Sequence, residues 1–122
     1  MRAKTLFDSF KFAYQGLSYS FKTQRNFRIH CGFTLLLLLL MPILKLKVYE
    51  LLFLASAAFA VLVTELVNTA IEKTIDIYTT AYHPLAKIAK NCAAAAVLLA
   101  ALYAVVVGIT ISVPRLLDIV GR

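Results

Sequence analysis

The feature that most restricts this chain is an uncharged run of 24 residues, Asn91 to Pro114, rich in Ala, Leu and Val. At about 1.5 Å per residue, a helix of that length crosses the roughly 30 Å hydrocarbon core of a bilayer. Two further runs point the same way. Ile29 to Leu44 carries no Asp, Glu, Lys or Arg and holds six consecutive leucines, Leu35–Leu40. Leu51 to Thr64 is also uncharged, and apolar character resumes after Glu65 with Leu66 to Ile71. The first of these reaches spanning length only with its His30 flank, and the second only by enclosing Glu65. A chain of 122 residues that is 61% hydrophobic, against about 45–50% for soluble domains, has too much surface to hide its apolar side chains. The same composition excludes disorder. No span has the short apolar core and small-residue cleavage site of a secretory leader. In hydrocarbon every backbone polar group must be satisfied internally, so the expected fold is an all-α membrane protein. Its three transmembrane helices fall at about 29–47, 49–71 and 88–113. They form one domain over 29–122, preceded by a surface helix in 1–28.

Thirteen Lys and Arg oppose six Asp and Glu, a formal charge of +7. Their placement accounts for the excess. Arg2, Lys4, Lys11, Lys22, Arg25 and Arg28 precede the first span, and Lys73, Lys87 and Lys90 lie around the second connection. Only Lys45, Lys47, Arg115 and Arg122 fall on the other side. The bias of basic residues toward the cytoplasm puts the N-terminus and the second connection there, and anionic headgroups rather than nucleic acid meet the charge. Within the leading segment, Phe7, Phe10, Tyr14, Leu17 and Phe21 fall on one helical stripe, with Lys4, Lys11 and Lys22 mostly elsewhere. Such a helix lies in the membrane interface or packs on its own bundle.

Acidic residues inside a span are costly and are kept mainly for function. Glu65, Asn68 and Glu72 stand at i, i+3 and i+7, on one helix face near the cytoplasmic end, and Asp76 continues the line. Lys87, Lys90 and Asn91 give the start of the third span a polar face at the same end. Carboxylates that can hold Mg²⁺ and lysines that neutralise phosphate suit a metal-bound phosphate. The competing reading is an interfacial charge network. Other chemistries lack their parts: four scattered glycines build no phosphate loop, and two distant histidines build neither a triad nor a zinc site. Cys31 and Cys92 read as reduced packing residues. His30 reads as interfacial, and His83 as a lesser ligand candidate.

The run Glu65-Leu-Val-Asn68-Thr-Ala-Ile-Glu72, with Asp76 following and then His83-Pro-Leu-Ala-Lys87-Ile-Ala-Lys90-Asn91, resembles the prokaryotic diacylglycerol kinase and undecaprenol kinase family. Ser9-Phe-Lys-Phe-Ala-Tyr-Gln-Gly16 and Thr23-Gln-Arg-Asn26-Phe-Arg28-Ile-His30 resemble its leading segment, so the likeness covers about Leu6 to Val107. It implies a homotrimeric membrane lipid kinase, with active sites shared between subunits at the cytoplasmic face of the bacterial inner membrane. The γ-phosphoryl of ATP, with Mg²⁺, would pass to the hydroxyl of a lipid alcohol, diacylglycerol or undecaprenol. By the same resemblance Glu65 is the general base and Glu72 a metal ligand. Phe12, Tyr82, His83, Lys90 and Asn91 hold the nucleotide, while Asn26, Arg28 and Asn68 meet the lipid. Gln24 stands where the family usually carries a second metal-binding glutamate, and Asn91 where it usually carries aspartate. Ala95 replaces a frequent glycine. Two further readings are an inactive scaffold with the same fold and an ion pathway. A pathway would string its acids through the bilayer rather than cluster them at one interface.

Overall fold

The computed structural model describes residues 4–121; Arg2 and Arg122, used above to orient the chain, lie outside them. The described residues form four α-helices: α1 (Leu6–Thr23), α2 (Arg25–Leu44), α3 (Val48–Tyr78) and α4 (Pro84–Val120). No strand occurs among the described residues. The last three are long and apolar enough to cross a membrane. The fold is that of an all-α membrane protein.

α1 starts at a reciprocal cap. The Asp8 amide donates to Thr5 Oγ1 at 3.1 Å, and the Thr5 amide donates back to Asp8 Oδ2 at 3.1 Å. The Lys4 amide shares that carboxylate at 3.1 Å. This arrangement satisfies N–H groups that the first helical turn leaves without partners. Hydrogen bonds from the Lys4 backbone and from Thr5 hold the Asp8 carboxyl below its ordinary range. A lowered carboxylate pKa contributes stability that is complete above the unfolded value and is lost as pH falls through the folded one. Amide protection over residues 6–9 should therefore stay level from about pH 8 to pH 5 and drop only below the ordinary carboxylate range. In Asp8→Asn that acid step should be absent, and in Thr5→Ala protection should be lower at every pH.

Between α1 and α2 only Gln24 intervenes, with an extended backbone that serves as C-cap of one helix and N-cap of the next. The bend thus falls ahead of residue 28, and Asn26 and Arg28 belong to the first turn of α2. The Arg28 guanidinium turns back across it and donates to the carbonyls of Phe21 at 3.2 Å and Lys22 at 3.0 Å, closing the end of α1. α2 ends at Leu44, and Lys45 enters the left-handed region at φ 49° to begin the short connection to α3.

α3 is the centre of the molecule. Its buried residues, Leu54, Ala57, Val61, Glu65 and Thr69, recur every three or four positions and make one continuous stripe. Ala57, and Ser20 where α1 meets α3 beside Leu66 and Thr69, are small side chains that let backbones approach, as helix packing in lipid requires. At 31 residues α3 runs about 46 Å, longer than the hydrocarbon is thick, so its last turns project beyond it. α4 lies along α3 and is longer still.

The third span is expected at about 88–113, and the helix that carries it, α4, runs on through Pro114 to Val120. A proline is tolerated in such a helix where neighbouring groups compensate, and Arg115 ties the last turns to α3. Its Nη2 donates to both Glu50 oxygens, at 2.8 and 2.7 Å, and its Nε to Oε1 at 3.2 Å. Glu50 also accepts from the Lys47 amide at 2.7 Å, so one carboxylate caps α3 and clamps α4. The sequence had left Glu50 and Arg115 as unremarkable charges at connections.

Candidate active site

The buried stripe of α3 carries the polar site. Where Leu54, Ala57 and Val61 fill the upper positions with apolar side chains, the next position is Glu65, only 4% exposed. Its Oε1 is buried and makes no hydrogen bond within the chain. One turn on, Asn68 Nδ2 donates to Glu72 Oε1 at 3.1 Å, and Asn68 Oδ1 is likewise buried without a partner. Two unpartnered oxygens, three residues apart on one face, are costly in a protein interior. Within the chain neither is within hydrogen-bond reach of a donor.

A neighbour from α2 approaches this face. His30 Nε2 stands 3.5 Å from Glu65 Oε1, inside ion-pair range and beyond hydrogen-bond length. The sequence reading had placed His30 at the interface. A signal was available: α2 and α3 form a tight antiparallel pair around Lys45–Lys47, and counting equal distances outward brings His30 to within a turn of Glu65.

A second locus lies beyond the end of α3. Thr79 to His83 turn the chain, with Thr79 Oγ1 accepting from the Ala81 amide at 3.1 Å. Pro84 then takes the first turn of α4, where its missing N–H is no loss. Across the turn Lys90 Nζ donates to Asp76 Oδ1 at 2.7 Å, and Lys73 Nζ lies 3.9 Å from the other carboxylate oxygen. Asp76, Tyr82, His83, Lys87, Lys90 and Asn91 border a cavity of about 440 Å³ that opens outward. Tyr82 is 78% exposed at its rim.

The residues singled out in the sequence therefore fall into two groups within one chain. Glu65, Asn68 and Glu72 share the α3 face, whereas Tyr82, His83, Lys90 and Asn91 gather around the loop cavity. Lys90 is level with Asp76, one turn past Glu72 and eleven residues, about 16 Å along the helix, from Glu65. Phe12 is half-buried on α1, Asn26 is exposed on α2, and Gln24 is half-buried at the junction, where its side chain makes no capping hydrogen bond. No cluster of three His, Cys, Asp or Glu side chains suited to a metal occurs among the described residues. The oxygens of the residues expected to hold metal, the Glu72 carboxylate and the Gln24 amide oxygen, are hard donors. They fit Mg²⁺ as it is usually held, by one or two carboxylates with phosphates supplying the rest.

Three lipid-spanning helices with a buried carboxylate near one rim and a lysine-bearing cavity beyond it define an integral membrane protein with acid–base and anion chemistry at one end. Residues 11–112 match the family described as prokaryotic diacylglycerol kinase. A diacylglycerol kinase of Synechocystis sp. is 45% identical over 118 residues, covering 96% of this chain and 67% of the relative. An undecaprenol kinase of Bacillus subtilis is 36% identical over 110 residues, covering 90% and 89%. A diacylglycerol kinase of Haemophilus influenzae is 33% identical over 95 residues, covering 78% and 80%. The chain belongs to the prokaryotic diacylglycerol kinase family and is a membrane lipid kinase. Its kinase relatives disfavour the scaffold reading.

Proposed function

We propose that the protein transfers the γ-phosphoryl group of ATP, with Mg²⁺, to the hydroxyl of a membrane lipid alcohol, diacylglycerol or undecaprenol. The observation that carries this reading is Glu65, a carboxylate buried in the otherwise apolar packing stripe of α3. Glu65 takes the proton of the lipid hydroxyl as that oxygen bonds to the γ-phosphorus. The bond from phosphorus to the β–γ bridging oxygen breaks, and ADP leaves. Positioning and charge neutralisation carry most of such a reaction. Lys90 and Asn91, with Tyr82 and His83, hold the nucleotide over the loop cavity. Asn68 orients the lipid hydroxyl, and Asn26 and Arg28 serve its headgroup. Glu72 and Gln24 would hold Mg²⁺, which when bound offsets phosphate charge. The carbonyls that Arg28 closes on α1 keep it at the junction where that headgroup would arrive.

The enzyme works as a homotrimer. In a single chain about 16 Å of helix separates the base from Lys90, and much apolar surface of α3 and α4 stands open. A neighbour's α4 end beside Glu65 meets both facts. The three spans, at about 29–47, 49–71 and 88–113 within a single domain, cross the inner membrane. The leading segment, 1–28, lies in its cytoplasmic interface, where the exposed Phe7, Phe10 and Tyr14 of α1 meet lipid and its lysines meet water.

The test uses the purified protein in mixed micelles with γ-labelled ATP and Mg²⁺, given diacylglycerol in one arm and undecaprenol in the other. Labelled lipid phosphate in either arm, abolished by a chelator, is the expected result and identifies the acceptor. Absence of product in both arms would overturn the assignment.

A further inference from the structure

We propose that His30 is a positioning residue for phosphoryl transfer: its imidazole Nε2–H holds Glu65 Oε1, leaving the other carboxylate oxygen free for the lipid hydroxyl. This rests on Glu65 being the base. The sequence likeness assigns His30 no role; the role comes from where α2 places it.

Three observations converge on the pair. The two side chains approach within 3.5 Å while only 25% and 5% exposed. Glu65 Oε1 has no other partner in the chain. On the far side of His30 lies a cavity of about 210 Å³ whose wall is largely apolar, with Leu37, Leu54, Ala57, Val61 and Gly108 among its lining. The His30 backbone is itself anchored, since the Thr34 hydroxyl donates to its carbonyl at 2.8 Å. The ring therefore has a fixed root. Catalytic hydrogen bonds are often long before substrate binds and tighten afterwards. A carboxylate held by nothing can swing on its stem, and a displacement of about 1 Å costs on the order of 100-fold in rate. His30 neither gains nor loses a proton in this role.

Two variants separate the donor from the ring. His30→Phe keeps an aromatic ring and removes the N–H; His30→Gln keeps an N–H on a flexible stem. In the mixed-micelle assay, His30→Phe should lower kcat about 10- to 100-fold with both KM values within about twofold. His30→Gln should return to within about threefold of the parent. Against a Glu65→Gln background, His30→Phe should cost less than about twofold more, because the group it positions is gone. Equal losses in both variants, a loss carried by KM, or full additivity with Glu65→Gln would each overturn the proposal. Should His30→Phe fail to fold on thermal unfolding, His30→Leu supplies the donor-free partner for the same comparison. Parental kcat in a folded donor-free variant, with Glu65→Gln inactive, refutes the role of His30 alone. Parental kcat in Glu65→Gln refutes the base, and the positioning role with it.

Discussion

Glu65→Gln is expected to lower kcat for lipid phosphorylation by about 10³-fold, within the range a positioned general base contributes. The substitution is nearly isosteric, so the packing stripe of α3 is preserved and the loss isolates one chemical property. An amide cannot accept the hydroxyl proton at neutral pH. Burial also works against rescue: at 4% exposure, bulk water has little room to act in place of the carboxylate. Stability should move the other way. Removing a charge from a lipid-embedded helix relieves its desolvation cost, so the thermal unfolding temperature of the variant should equal or exceed the parent's. Binding should be largely spared, with KM for ATP within about twofold, because Glu65 is proposed to act on the lipid hydroxyl and not to hold the nucleotide. Lipid phosphorylation and micellar unfolding, measured on the same preparation, check both halves. A kcat within about threefold of the parent, or a loss that tracks loss of fold, would remove Glu65 from the chemistry.

The spans and the acid face could be read from the sequence because both are properties of a single helix. Charge-free runs report spanning, and the offsets between Glu65, Asn68 and Glu72 fix their common face whatever packs against it. What the sequence left unassigned belongs to pairs of helices. Arg115 reaches Glu50 across 65 positions, and nothing in either local pattern says which residue of α4 lies level with the start of α3. Pro114, just before Arg115, lies inside α4, which runs on to Val120. His30 was hidden for a related reason, since periodicity gives its face on α2 but not how that face is turned toward α3. The split between the Glu65 group and the Lys90 group also follows from helix length. Convergence at one level was inferred from both groups lying toward the same membrane face, yet α3 runs on for several turns past Glu65, and the turn to α4 sits beyond them.

The remaining large effect concerns the metal. Glu72→Gln should raise the Mg²⁺ concentration for half-maximal activity by about tenfold or more, and Gln24→Glu should lower it several-fold, since ligand charge sets affinity for a hard dication. Glu72 is already oriented, its Oε1 accepting from Asn68 Nδ2 at 3.1 Å, and a ligating carboxylate fixed by a second side chain binds with less reorganisation. Gln24 is the site where a charge can be added at least structural cost. It is half-buried at the bend between α1 and α2, its backbone does the capping, and its side chain is not used as a cap. A carboxylate there adds one negative charge to the proposed metal site. Replacing Mg²⁺ by Mn²⁺ and titrating the free enzyme by electron paramagnetic resonance reads the same affinities without turnover, which separates metal binding from the base chemistry of Glu65. An unchanged Mg²⁺ dependence and an unchanged Mn²⁺ titration in Gln24→Glu would place the α1–α2 junction outside the metal site, and the dication would then rest on Glu72 and the nucleotide alone.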